Sequence, residues 1–120
     1  MTIPLQPRTK KNSSRIVTNP KTGKPFLIPS KEYKEYERDA GYYINGKGLR
    51  IDYPVNVKCV FYRKDRRRCD LPNLLNAICD FLVHYEVFAD DNYNVIASMD
   101  GSRVYIDKEN PRTDVEIIAL

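Results

Sequence analysis

A chain of 120 residues with 42% hydrophobic and 30% charged residues has room for one domain and one core, and it is too apolar to be disordered. No apolar run approaches the ~18 residues of a membrane helix, so no membrane partner is expected, and the opening "MTIPLQPRTKKNSSRIV" lacks the apolar segment of a signal peptide. Net charge is +4, but residues 1–69 hold 17 Lys and Arg against 6 Asp and Glu while residues 70–120 hold 3 against 10, which suggests a polyanion-binding part beside an acidic part.

Taken in order, residues 1–29 form a basic arm with six basic residues and no acidic one. "TIPL" reads as a short strand, "RTKKNSSR" as a loop or extended arm, and "TNPKTGKPFLIPS" as loop with a short hairpin around Lys21–Lys24. Ser30 is placed to cap a helix over "KEYKEYERDAGYY", whose Tyr33, Tyr36 and Ala40 share a face. "NGKG" ends it. "VNVKCVFYR", Val55 to Arg63, is the clearest strand, alternating and rich in β-branched and aromatic residues. A basic turn follows, then a helix from about Pro72 to about Tyr85 with Leu71, Leu74, Leu75, Ile78, Leu82 and Tyr85 at three- and four-residue spacing. Pro72 suits the first helical turn, where its missing N–H costs nothing. "YNVIASMD" and "TDVEIIAL" are two further strands, and "RVYID" between them reads as the continuation of a hairpin. Cys59, Cys69 and Cys79 form no C-x-x-C pair, and His84 is the one histidine. A disulfide framework and a structural zinc site are therefore not expected, and a reducing, cytoplasmic compartment fits.

The chemistry concentrates in residues 65–92. Arg66, Arg67 and Arg68 stand beside Asp70 at a helix start; Asn73, Asn76, Asp80 and His84 lie on the helix side away from the leucines; Asp90 and Asp91 follow just beyond it. Several carboxylates supply the hard oxygen ligands that Mg²⁺ and Mn²⁺ prefer, and a basic strip beside them would hold nucleic-acid phosphates. Each piece has a plainer reading. Asp70 is as readily an N-cap, Asp90–Asp91–Asn92 a turn, the arginine run a solvated loop, and His84 a surface or packing residue.

The stretch "DRRRCDLPNLLNAICDFLVHYEVFADDN" resembles the signature region of the RusA-like Holliday junction resolvases, found in bacterial chromosomes and prophages, and "TIPLQPRTKKNSSRI" is similar to the phage-type members. The resemblance implies a Mg²⁺-dependent homodimeric endonuclease (Mn²⁺ a substitute) that binds four-way DNA junctions and cuts two opposed strands in recombination and repair. It implies an α/β (α+β) fold in one domain, 1–120, with a small mixed β-sheet packed against two main helices. Asp70, Asp90 and Asp91 then match the catalytic carboxylates, which with Asp80 are the metal ligands. Lys64, Arg66, Arg67, Arg68 and Asn73, with Lys10, Lys11 and Arg15 of the arm, would contact DNA. Two positions depart: Pro72 stands where many relatives carry a second aspartate, and Asn76 where a lysine is frequent. The competing readings are a junction- or single-strand-binding protein with weakened cleavage, and a structural protein whose charged halves pack together.

A helix from Pro72 to Tyr85 rises about 20 Å, which sets Asp70 and Asp91 at opposite ends. A site shared across a two-fold dimer, with Asp70 of one subunit near Asp90 and Asp91 of the other, is the expected solution.

Overall fold

The computed structural model describes residues 1–10, 14–29 and 31–120, with the backbone alone described at residues 14–16, 26, 27 and 29. In chain order the elements are β1 (Thr2–Ile3), β2 (Ser14–Thr18), β3 (Pro25–Pro29), α1 (Lys31–Ala40) running into a 3-10 turn at Gly41–Tyr43, β4 (Val55–Arg63), α2 (Leu71–His84), β5 (Ile96–Ser98), β6 (Arg103–Ile106) and β7 (Arg112–Ala119).

β4 is the middle strand because its alternation gives it one apolar face: Val55, Val57, Cys59 and Phe61 are buried while the residues between them are half-buried. It pairs antiparallel with β7, from Val55 opposite Ala119 to Tyr62 opposite Arg112. β1 adds to the far side of β7, Thr2 opposite Asp114 and Ile3 opposite Thr113. On its other side β4 is flanked first by β5 and then by β6, both parallel to it, so the sheet is mixed. β2 and β3 form a separate antiparallel hairpin whose turn is Asn19–Lys24, which extends the short hairpin expected around Lys21–Lys24.

The reading of "RVYID" as a hairpin continuation is wrong. β6 runs in the same direction as β5 along the same edge of β4, because Met99–Ser102 makes a jog and not a reversal. Side chains hold the jog in place of ladder bonds. Asn56 Nδ2 donates to the Asp100 carbonyl at 3.2 Å, Asn56 Oδ1 accepts from the Asp100 N–H at 2.8 Å, and Ser102 Oγ accepts from the Cys59 N–H at 3.0 Å.

α2 buries Leu74, Ile78, Phe81 and Leu82 in one core with the inward residues of β4 and Val115 of β7. α1 docks on α2 through Tyr36, whose ring lies 6.2 Å from Phe81, and through the Tyr85 hydroxyl, which donates to the Glu37 carbonyl at 2.9 Å. Ser30, the expected α1 cap, lies outside the described residues. α2 closes with a paired turn: the Glu86 N–H donates to the Val83 carbonyl and the Val87 N–H to the Leu82 carbonyl, with Glu86 at φ 58°. Val87 and Phe88 are then buried, which folds the chain back against the body, with Phe88 bridged to Ile51. No helix among the described residues is long and apolar enough to cross a membrane, and all three cysteines are free.

Candidate nuclease site

Asp70 occupies the N-cap position of α2 in an extended conformation, φ −86° and ψ 129°. Its backbone carbonyl accepts from the Asn73 and Leu74 N–H groups, but its carboxylate makes no capping hydrogen bond. The plainer reading of this residue, a side chain consumed in capping, therefore does not describe it. The carboxylate is half exposed, with the Arg68 guanidinium 3.8 Å away.

The basic turn before it is shaped by its own polar groups. Asp65 Oδ1 accepts from the Arg67 N–H at 3.0 Å, Arg63 Nη1 donates to the Arg67 carbonyl at 2.7 Å, and Gln6 Oε1 accepts from the Lys64 N–H at 2.9 Å. The last bond ties the turn to the N-terminal segment. Lys64, Arg66, Arg67 and Arg68 are exposed, so their charges face solvent and any polyanion in it.

One turn into α2 the polar face becomes a shallow cavity of about 200 Å³, lined by Lys10, Asn73, Asn76, Ala77 and Asp80. Asp80 Oδ2 lies 3.3 Å from Lys10 Nζ, so two residues assigned different roles, metal ligand and DNA contact, are partners here. Lys10 also sits over the Tyr33 ring, 5.7 Å from its centre. Lys11 lies outside the described residues, and so does the side chain of Arg15.

In the acidic loop the two aspartates differ. Asp90 is a turn residue: its Oδ1 accepts from the Asp91 N–H at 2.7 Å and its Oδ2 from Asn92 Nδ2 at 3.1 Å, bonds that hold its carboxyl below the ordinary carboxylate range. Asp91 is exposed, and its backbone N–H is what Asp90 Oδ1 holds. Burial first, then the charges of Asp91 and Asp80, push the Cys79 thiol of α2 up to about 11. Met99 Sδ of the β5–β6 jog lies 3.9 Å from it.

The fold thus gathers Asp80, Asn73, Asn76 and Lys10 along one flank of α2. Asp70 stays at the helix start, about 15 Å of axial rise from Asp80 at 1.5 Å per residue. Among the described residues no group of three or more His, Cys, Asp or Glu side chains could hold a metal ion. His84 follows its plainer reading, 3.7 Å from Glu37 and edge-on to the Tyr85 ring.

Two arginines escaped sequence reasoning. Arg63 and Arg8 line a cavity of about 270 Å³ with Arg67, Arg68, Thr9 and Cys69. Arg63 stands at an inward position of β4, two residues after buried Phe61. A charged residue in the buried register of a strand is uncommon unless it is paired, and that was the signal.

Compared with known families, the chain matches the family model described as Endodeoxyribonuclease RusA over residues 4–118. No curated protein matches it.

Proposed function

Since the chain belongs to the RusA family of endodeoxyribonucleases, we propose that it is a divalent-cation-dependent nuclease that binds four-way DNA junctions as a homodimer and resolves them by paired nicks. The observation that carries this reading is the Asp70 carboxylate: it stands at a helix start without capping it, beside exposed Arg66, Arg67 and Arg68. In this reading the arginines and Lys64 hold junction phosphates, and Asn73 and Lys10 contribute from the α2 flank. Asp70 and Asp91 serve as ligands for Mg²⁺ or Mn²⁺, with Asp90 fixing the loop that presents Asp91.

A bound cation would supply polarisation of the phosphodiester and an activated water. Because the described residues of one chain do not bring three such ligands together, the proposed site is composite, with Asp70 of one protomer facing Asp90 and Asp91 of its partner across the two-fold axis.

Two experiments test the proposal. A labelled four-way junction and a linear duplex are incubated with the protein in Mg²⁺ and in EDTA, alongside Asp70→Asn. Paired nicks in the junction alone, lost in EDTA and in the variant, are expected. Tight junction binding without cutting in Mg²⁺, or in Mn²⁺ put in its place, would instead make this a binding protein, the outcome that Pro72 and Asn76 motivate. The composite site is then tested by mixing Asp70→Asn with Asp91→Asn. Mixed dimers would regain one intact site and single nicks; a mixture as dead as its components would exclude sharing.

A further inference from the structure

Arg63 is the anomaly of the basic region. Its Nε is buried and has no hydrogen-bond partner among the described residues, although its Nη1 is committed to the Arg67 carbonyl. A buried donor left unpaired costs free energy, and guanidinium groups are the side chains best shaped to meet phosphate oxygens through two parallel bonds. Arg63 also separates two concavities. On one side is the 270 Å³ cavity with Arg8, Thr9, Arg67, Arg68 and Cys69; on the other is one lined by Asp65, Arg66, Val104 and Ile106 besides the shared arginines. The first holds four arginines and a single acidic residue, Glu32 in the opening turn of α1.

We infer that Arg8, Arg63, Arg67 and Arg68 form a discrete pocket for one phosphate group of a nucleic acid. This deepens the junction-nuclease reading and rests on it only for the nature of the polyanion. The pocket adds to the exposed Arg67 and Arg68 a wall and a partly buried anchor, Arg63. Pro7 and Thr9 are buried beside it, the Lys64–Gln6 bond fixes the N-terminal segment that carries Arg8, and the Arg63 guanidinium is anchored by its carbonyl contact. An anchored Arg63 loses less side-chain freedom on binding than an exposed arginine would. Arg68 is shared with Asp70, 3.8 Å away. A phosphate in the pocket draws Arg68 toward itself and leaves the Asp70 carboxylate open to a cation, so that DNA binding prepares the acidic side of the site.

The phosphate could belong to the DNA backbone or to a strand terminus, and the test separates these. The full chain, labelled with ¹⁵N, is titrated with inorganic phosphate, with a short duplex ending in 5′-hydroxyl groups, and with the same duplex 5′-phosphorylated. The Arg63 Nε–H resonance is followed throughout. Inorganic phosphate is expected to shift it, and Arg8→Ala to weaken that response by about tenfold, the worth of one bond to a charged group. Arg8 is exposed, so this variant does not depend on refolding the interior. A shift with the hydroxyl-ended duplex assigns the pocket to the backbone; a shift with the phosphorylated duplex alone assigns it to a terminus. An Arg63 resonance that ignores all three ligands overturns the pocket. A protein that never nicks a junction but shows the phosphate shift would lose the nuclease reading and keep the pocket.

Discussion

At the scale of single residues, the acidic loop shows how two neighbouring aspartates acquire different work. Asp90 spends both oxygens on Asp91 N–H and Asn92 Nδ2, and these bonds favour its charged form. Its carboxyl titrates lower in the folded protein than in the unfolded chain. The stability it adds is therefore present above the ordinary carboxylate pKa of about 4 and is lost as pH falls through the lowered folded value. The protection factor of the Asp91 amide is expected to fall as pH drops through the lowered folded value in the native protein, and to be low already at neutral pH in Asp90→Ala. An amide equally protected in that variant would show that the turn does not depend on the carboxylate. None of this distinction was legible in "ADDN", because composition alone cannot say which of two adjacent carboxylates the backbone will claim. Asp70 was legible as a candidate for the opposite reason: its place before an apolar helix is a sequence fact, and only its failure to cap needed coordinates.

Between elements, the α1–α2 contact turns on a close approach. A Cβ at Gly41 would fall 2.5 Å from the Tyr85 Cζ. That ring cannot easily withdraw, because its hydroxyl donates to Glu37 and its faces meet Phe81 and His84. Gly41→Ala is expected to cost about 1–3 kcal/mol, as overpacking does, measured as a lowered urea midpoint at unchanged slope. An unchanged midpoint would mean that the 3-10 turn shifts freely. The helices themselves were read well from their apolar spacing, and β4 from its alternation. The parallel placement of β6 was not. Its register depends on Asn56 and Ser102 answering backbone groups across the jog, and the two lie far apart in sequence with no local signature. Arg63 went unremarked because reading the strand stopped at its apolar members.

For the molecule as a whole, burial has left several weak acids difficult to ionise. It pushes Cys59 and Tyr36 up to about 12 and Cys79 up to about 11, from ordinary values of 9.0 for cysteine and 10.0 for tyrosine. Between the ordinary and the folded values the native state retains protons that the unfolded chain has released, so stability falls with rising pH. It is present in full below about pH 8.5 and declines toward pH 12. The urea midpoint at pH 10.5 is expected to lie clearly below that at pH 8, whereas equal midpoints would mean that these groups ionise without opening the core.

The pairing of β1 with β7 joins residues more than a hundred positions apart, Thr2 with Asp114 and Met1 with Val115. A ribosome emits β1 early and β7 late, so the first strand has no edge to dock on until the last has emerged. The segment behind β1 carries Gln6 and Arg8 to the basic turn. A nascent chain short of β7 therefore carries its basic turn with Arg8 not yet held against it.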